Sequence, residues 1–167
     1  MYTQGNLIPN WDLNQFKQLE YKLDYHKDLN LIDRYVASGH LESSIHVYNC
    51  FEDKLTVDTK YIRNHFKWIK NLALAVNLFK PGQYLPMHQD LYQKYKSVFN
   101  IDSADHIIRI IIMLDDNQPG QILQIENIAI AKWNAGEWFG WVGGESHAFY
   151  NFSMTDRYAI QLTGTLC

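Results

Sequence analysis

The stretch that decides the fold is "LFKPGQYLPMHQDLY", residues 78–92, where an apolar run breaks at Pro81-Gly82 and a second run leads into His88-Gln89-Asp90. A Pro-Gly pair marks a turn, and short apolar runs bounded by turn signals are typical of β-strands. On a strand, side chains at positions i and i+2 share one face, whereas on a helix they point about 200° apart. The stretch therefore predicts β structure in which His88 and Asp90 can bind one metal ion.

The sequence keeps this period of about two from Leu72 to the end of the chain. Turn residues separate its further apolar runs, which read HIIRIIIML, QILQI, IAIAKW, EWFGWV, HAFYNF and RYAIQLTG. Regularly spaced short strands predict an all-β sandwich or barrel, and a jelly roll is the commonest arrangement for about eight strands in this length.

The first 71 residues show helical spacing instead. Such spacing occurs in "WDLNQFKQLEYKLDYHKD", from Leu29 to Ala37 and in "DTKYIRNHFKWIKN", with Asp12 (paired with Gln15) and Asp58 as expected N-caps. The predicted buried stripes are Leu13, Phe16, Leu19 and Leu23 in the first segment and Ile62, Phe66 and Ile69 in the third. We therefore expect one mainly β domain, residues 1–167, in which residues 1–71 supply supporting N-terminal α-helices and residues 72–167 the β core.

The composition excludes several classes of protein. A chain of 167 residues with 47% apolar residues and a net charge of -3 suits one globular core, and without a basic cluster it offers no extended nucleic-acid surface. The run HIIRIIIML is too short to cross a bilayer, and the N-terminus has no signal-peptide pattern. Cys50 and Cys167 fit neither a zinc site nor a disulfide framework, so we expect two small apolar residues and a cytoplasmic location.

Three His-x-acid triplets are candidates for the metal site. The triplet at 26–28 ends a helical pattern, which predicts two surface residues. The triplet at 40–42 could lie on a strand with His106 as a third ligand. The position equivalent to that of an anion-binding cation is then occupied by the acid Asp116. Only the triplet at 88–90 has both a later histidine and a later arginine at suitable places.

These later residues are His147 and Arg157, and each begins one of two consecutive predicted strands. Two histidines and one carboxylate form the facial triad of non-haem Fe(II) oxygenases, which leaves coordination positions open. An arginine on the adjacent strand can hold a carboxylate through two parallel hydrogen bonds. The pattern therefore predicts a metal site with an anion-binding residue beside it.

The pattern His88-x-Asp90…His147…Arg157 resembles the Fe(II)- and 2-oxoglutarate-dependent oxygenase superfamily over residues 72–164. The core of that superfamily is a cupin-like jelly roll, the double-stranded β-helix. The strand RYAIQLTG resembles the last core strand of prolyl-hydroxylase-like members, and HIIRIIIML, with Arg109, is similar to the aspartyl/asparaginyl-hydroxylase branch. The segment as a whole is similar to short, stand-alone oxygenases of marine bacteriophages, which would act in the host cytoplasm.

The resemblance implies that His88, Asp90 and His147 bind Fe(II), and that 2-oxoglutarate and O2 complete the coordination. It also implies that Arg157 binds the C5 carboxylate of 2-oxoglutarate, which is converted to succinate and CO2 as the substrate is oxidised. Related halogenases replace the carboxylate ligand with a small residue to admit chloride. Because Asp90 fills that place, we expect hydroxylation or a related oxidation.

The sequence leaves open which groups contact two of the arginines, Arg157 and Arg109. Many members of the superfamily have a serine two residues after the arginine, and here that position is Ala159, so a second hydrogen bond must come from elsewhere. The candidate donors are Gln161, Tyr84 and Thr163. Arg109 could lie in the pocket, against the C1 carboxylate of 2-oxoglutarate or a substrate acid. It could also be exposed at the strand edge or paired with one of the chain's own acids.

Other residues could contact a substrate or support the site. Of the aromatic residues Trp133, Trp138, Trp141, Tyr92, Tyr95 and Tyr150, we favour Tyr92 and Trp141 as substrate contacts because they are nearest in sequence to the ligand strands. Asn151 shares the face of His147 and could hydrogen-bond to it. Residues 91–105 lie between core strands and could form a lid over the iron.

The predicted substrate is an amino-acid side chain, peptidyl or free, or another small metabolite, and no membrane partner is expected. The alternative function is a non-redox cupin-like module that binds a metal or another ligand. Arg157 distinguishes the two, because a simple metal-binding jelly roll needs no buried arginine at that position.

Overall fold

A computed structural model describes residues 2–24 and 31–166. The predicted surface pair His26 and Asp28, the start of the predicted helix at Leu29, and Cys167 lie outside the described residues. None of the described helices is long and apolar enough to span a membrane.

The elements alternate between short helices and strands in the first half and are almost entirely strands in the second. In chain order they are β1 (Tyr2–Asn6), α1 (Leu13–Lys17), β2 (Lys22–Asp24), α2 (Leu31–Ala37), β3 (Val47–Phe51), α3 (Lys60–His65), β4 (Lys70–Phe79), β5 (Gln83–His88), α4 (Gln93–Phe99), β6 (Ile107–Met113), β7 (Gln121–Ile125), β8 (Ile128–Ile130), β9 (Glu137–Val142), β10 (His147–Asn151) and β11 (Arg157–Thr165). Single turns of 3-10 helix lie at Glu42–Ser44 and Glu52–Lys54.

Two antiparallel sheets form the core. The larger has the strand order β1-β9-β6-β11-β4-β3-β2, and the smaller has the order β5-β10-β7-β8. One apolar cluster joins the inner faces of both sheets, with Phe149 and Leu123 from the smaller packed near Phe79, Ile111 and other residues of the larger. The prediction of a mainly β jelly roll is confirmed.

A second apolar cluster lies on the outer face of the larger sheet. Strands β4, β6 and β11 contribute to it, and the N-terminal segments cover it. The predicted stripe of the third segment is buried there, since Ile62, Phe66 and Ile69 are almost inaccessible to solvent, although α3 itself ends at His65. The carboxylate of Asp12 caps α1 by accepting a hydrogen bond from the Asn14 amide at 2.9 Å, as predicted.

The predicted helix over the first segment is too long. Helix α1 ends at Lys17, and the chain then forms β2, where Leu23 lies opposite Tyr48 of β3. Phe16 and Leu19 are buried as predicted, but residues 1–71 also supply three strands to the larger sheet. Pairing with a distant strand outweighs a helical spacing that spans so few turns.

The register of the larger sheet sets the geometry of its inner face. On β11 that face carries Arg157, Ala159, Gln161 and Thr163, in that order. Their direct neighbours on β4 are Phe79, Asn77, Ala75 and Ala73, and Thr163 lies opposite Arg109 of β6 on its other side. The inner face therefore has a cation near each end and small residues between them.

Candidate metal centre and adjoining cavities

The three predicted ligands come together at one end of the smaller sheet. His88 ends β5, His147 begins β10, and the two residues are direct partners across the antiparallel pair. Asp90 follows β5, and ligand atoms of all three residues lie within 4.8 Å of one another. Within residues 2–24 and 31–166, this is the group of three that could hold a metal ion.

Backbone carbonyl groups orient both imidazoles. Nδ1 of His88 is 2.8 Å from the Pro86 oxygen, and Nδ1 of His147 is 3.0 Å from the Glu145 oxygen. Donation from Nδ1 selects the tautomer whose Nε2 lone pair can bind a metal. Each Nε2 faces the Asp90 carboxylate, with a distance of 3.7 Å from His88 to Oδ1 and from His147 to Oδ2.

Arg109 is paired with Asp90. Its Nε and Nη2 donate to Oδ2 of Asp90 at 3.0 and 2.7 Å, and its Nη1 donates to Oγ1 of Thr163 at 2.5 Å. Burial alone would raise the pKa of Asp90, but the Arg109 guanidinium, together with His147 and His88, holds that pKa well below its usual range. Of the placements left open for Arg109, pairing with an acid of the chain is the one observed. The same contact keeps Asp90 an anionic ligand.

A cavity of about 140 Å³ extends from the ligands into the space between the sheets. His88, Asp90 and His147 form one part of its wall. The rest of its lining consists of Val47, Asn49, Phe51, Asn77, Phe79, Leu85, Arg109, Ile111, Trp141, Phe149 and Gln161. Polar and charged side chains, including the three ligands, thus share the wall of this cavity about equally with apolar ones.

Arg157 lies beside this cavity and is 1% exposed. Its guanidinium is 4.8 Å from the ring centre of Phe149 and 5.7 Å from that of Phe79, both of which line the cavity, and Nη2 is 3.4 Å from Sδ of Met113. Nε and Nη1 have no hydrogen-bond partner among the described residues. Burial lowers the pKa of Arg157 to about 10 against the opposing effect of the Asp115 carboxylate, so the side chain is charged at neutral pH.

The three candidate donors for a second hydrogen bond near Arg157 have different environments. Thr163 is bonded to Arg109, and the Tyr84 hydroxyl is 2.9 Å from Nδ1 of His40. Gln161 lines the cavity, but it lies two inward-facing positions beyond Arg157. Of the three, Gln161 is therefore the one that lines this cavity.

Sequence reasoning missed Asn77, which lies directly opposite Ala159 on β4. It is 6% exposed and lines the cavity, and its Nδ2 donates to Oδ1 of Asn49 at 2.5 Å. An asparagine in the middle of the apolar run "LALAVNLF" was the signal that could have found it, because buried amides in strands need a partner.

The aromatic residues favoured as substrate contacts both border the site. The Trp141 ring is 4.5 Å from the His147 ring, and the Tyr92 ring is 5.1 Å from the Arg109 guanidinium. Trp133 lies 5.2 Å from the guanidinium of Arg157. Trp138 packs against Phe66 on the other side of the larger sheet.

The predicted hydrogen bond from Asn151 to His147 is wrong. Nδ2 of Asn151 donates to the carbonyl oxygens of Phe79 and Thr155 at 2.7 and 2.8 Å. Oδ1 accepts from the hydroxyl of Ser153 at 2.6 Å. Asn151 therefore connects the end of β4 to the turn that precedes Arg157.

A second cavity, of about 600 Å³, lies beside the first under α4. Its wall comprises Phe51, Glu52, Asp53, Ala73, Leu74, Ala75, Tyr92, Gln93, Lys94, Tyr95, Val98, Phe99, Arg109, Gln161 and Thr163. Tyr92 and Asn100, at the two ends of α4, both have a φ of 52°, and these left-handed residues turn the chain sharply into and out of the helix. Residues 91–105 therefore form one wall of a cavity, and their predicted closure as a lid stays a prediction.

No protein-family model matches the chain, and no curated protein matches its sequence. Among solved structures, a Pseudomonas putida prolyl-4-hydroxylase superposes with a TM-score of 0.52 and 12% identity, over 92% of this chain and 96% of that one. The chain has the double-stranded β-helix fold. A proposed sugar phosphate isomerase from Acidithiobacillus ferrooxidans also has a TM-score of 0.52, with 9% identity over 93% of this chain and 74% of that one. At such low identities these likenesses support the fold alone.

Proposed function

We propose that the chain is an Fe(II)- and 2-oxoglutarate-dependent oxygenase that hydroxylates a small molecule or an amino-acid side chain. The observation that carries the proposal is Arg157, a buried cation with two guanidinium nitrogens that lack a partner among the described residues. A buried charge of this kind is unfavourable unless an anion completes it. A site that only held a metal would not need this cation.

The side chains at this site have the chemistry that Fe(II) and 2-oxoglutarate require. Two imidazole nitrogens and one carboxylate are the donor set of the 2-His-1-carboxylate Fe(II) sites. Arg157 is not itself among the lining residues but contacts Phe79 and Phe149 of the same cavity, and we propose that it binds the distal carboxylate of 2-oxoglutarate. When bound, Fe(II), 2-oxoglutarate and O2 supply the oxidising power, with succinate and CO2 as by-products.

The protein's own contribution is to hold the metal, to orient its ligands and to exclude water. His88, His147 and Asp90 would hold the metal, and Arg109 fixes the Asp90 carboxylate while keeping it ionised. Asn77 is the direct neighbour of Ala159, and we propose that it assists Arg157 in place of the serine hydroxyl that related oxygenases have.

Five large apolar side chains form part of the wall around these groups. Phe79, Leu85, Ile111, Trp141 and Phe149 are all buried and line the smaller cavity. Apolar walls limit the access of water to reactive species and strengthen the electrostatic contacts inside. The cavity therefore suits a reaction that must be protected from solvent.

The test is an anaerobic titration of the metal-free protein with Fe(II) and then 2-oxoglutarate, followed by visible absorption. Chelation of ferrous iron by 2-oxoglutarate gives a charge-transfer band, and no substrate is needed to observe it. We expect the band in the unchanged protein and in His106→Ala, which replaces an exposed histidine, but not in His147→Ala.

A second pair of variants tests the cosubstrate. We expect Arg157→Gln to require about 10- to 150-fold more 2-oxoglutarate for the same band, because a charge-assisted hydrogen bond contributes about 1.5–3 kcal/mol. Arg34→Gln, at an exposed position, should change nothing. Iron binding without a band at saturating 2-oxoglutarate would contradict the proposal and favour the non-redox binding module.

A further inference from the structure

The larger cavity adjoins the candidate metal centre directly. Phe51, Arg109 and Gln161 line both cavities, and Arg109 is bonded to the ligand Asp90. A molecule seated in the larger cavity therefore touches the same side chains that bound the smaller one. The two cavities form adjacent compartments of one site.

The wall of the larger cavity is mainly apolar. Strand β4 contributes the small residues Ala73 and Ala75, and their size leaves the space that the cavity occupies. Helix α4 contributes Tyr95, Val98 and Phe99 from the opposite side. Burying apolar surface of a ligand against such a wall favours binding by about 25 cal/mol per Å².

The charged groups along the wall already have partners or lie at its rim. All three guanidinium nitrogens of Arg109 donate to Asp90 or Thr163. The Glu52 carboxylate binds Arg63 and the Leu74 amide, and the ammonium of Lys94 lies 5.4 Å from the Phe51 ring centre. Asp53 is exposed. Among the described lining residues, the charged groups are thus either paired within the protein or exposed at the rim.

We propose that the larger cavity binds the substrate, and that this substrate is an uncharged, predominantly apolar small molecule larger than a free amino acid. The inference rests on the proposed function only in calling this ligand the substrate. A volume of about 600 Å³ is within the range of about 300–1,000 Å³ found for sites that bury drug-sized ligands. A free amino acid would leave most of this space unfilled and would place two charges against apolar walls.

Nile red, a neutral fluorophore whose emission rises in apolar surroundings, tests the cavity in the metal-free protein. We expect saturable binding to the unchanged chain. For Ala75→Phe, which fills the cavity, we expect a dissociation constant at least ten times higher. Val98→Glu should also weaken binding, because it adds a charge beside the cavity at a position that is 66% exposed and tolerant of change. Ala129→Phe makes the same substitution as the first variant at an exposed strand position, and it should bind the probe normally.

Competition then defines the chemical class. Indole and 2-naphthol should displace Nile red, whereas lysine, aspartate and phenylalanine should not. Equal probe binding by Ala75→Phe, Val98→Glu and Ala129→Phe would overturn the proposal, and so would displacement by the free amino acids or only by an apolar peptide. Loss of self-association in Ala75→Phe would identify a second copy of the chain as the occupant and would also overturn it. Because no iron is present, these outcomes are independent of the charge-transfer band.

Discussion

Arg157→Met is predicted to stabilise the protein without ligands and to weaken its binding of 2-oxoglutarate. Burial lowers the pKa of Arg157 to about 10, and a change of that size from its ordinary value corresponds to about 3 kcal/mol against the charged form. The rings of Phe79, Trp133 and Phe149 offset part of this, since a desolvated cation–π contact contributes about 0.5–2 kcal/mol. The net gain on replacing the cation by an apolar side chain is then about 1–3 kcal/mol.

Urea denaturation of the metal-free protein measures this gain, and thermal unfolding should show a Tm higher by about 2–4 °C for each kcal/mol. The pKa of Arg157 is lower in the folded than in the unfolded state, so the unfolded state binds the proton more tightly. The penalty is therefore complete below about pH 10 and declines only above it. Because the Arg157 charge also lowers the pKa of the nearby Asp115 carboxyl, which burial raises to about 6, the gain should be compared at about pH 8–9.

The control is Arg34→Met, which changes an exposed arginine and should alter the free energy of unfolding by less than about 0.5 kcal/mol. Saturating Fe(II) and 2-oxoglutarate, without oxygen, should reverse the order of stability, because the ligand stabilises the Arg157 protein more. If Arg157→Met instead lowered the stability of the ligand-free protein by more than about 1 kcal/mol, the guanidinium would be satisfied by the protein itself. The reasoning that assigns it to an anion would then fail.

Three further predictions concern supporting residues. Arg109→Gln should destabilise the metal-free protein by about 3 kcal/mol at neutral pH, because it leaves the Asp90 carboxylate without its cation, and urea denaturation should show the loss shrinking below about pH 4 as Asp90 protonates. An equal loss of stability at neutral pH and below about pH 4 would contradict this. Asn151→Ala should lower the free energy of unfolding by about 1–3 kcal/mol, since it removes the side-chain donor of the buried Phe79 carbonyl while the Thr155 carbonyl keeps the Ser153 hydroxyl, and an unchanged urea midpoint would refute it. In a Cys167→Ser background, a thiol reagent should modify Cys50 only after unfolding, because burial raises the pKa of that thiol, and rapid labelling of the native protein would count against it.

The sequence was most informative where a local pattern and the chemistry of the side chains agreed. The i, i+2 spacing of His88 and Asp90 predicted two ligands on one face of a strand. β5 does place His88 beside His147 of β10, but it ends at His88, and Asp90 lies just beyond it. The position of Arg157 at the start of a strand was predictable for the same reason. Its unpaired nitrogens were not, because they depend on which side chains surround it in the folded protein.

The sequence was less informative wherever a residue's role depends on a distant strand. The spacing of Leu19 and Leu23 fits a helix equally well, and the pairing of β2 with β3 decides otherwise. Asn77 is opposite Ala159 only in the observed register of β4 and β11. Arg109 likewise meets Asp90 through the path of the loop after β5, which no local pattern specifies.

The most direct test of the account is a crystal structure of the protein prepared without oxygen and soaked with Fe(II) and 2-oxoglutarate. We expect one metal ion bound by His88, Asp90 and His147, with the distal carboxylate of 2-oxoglutarate within hydrogen-bond distance of Nε or Nη1 of Arg157. A metal ion bound by other residues, or 2-oxoglutarate absent from the cavity at a saturating concentration, would contradict it.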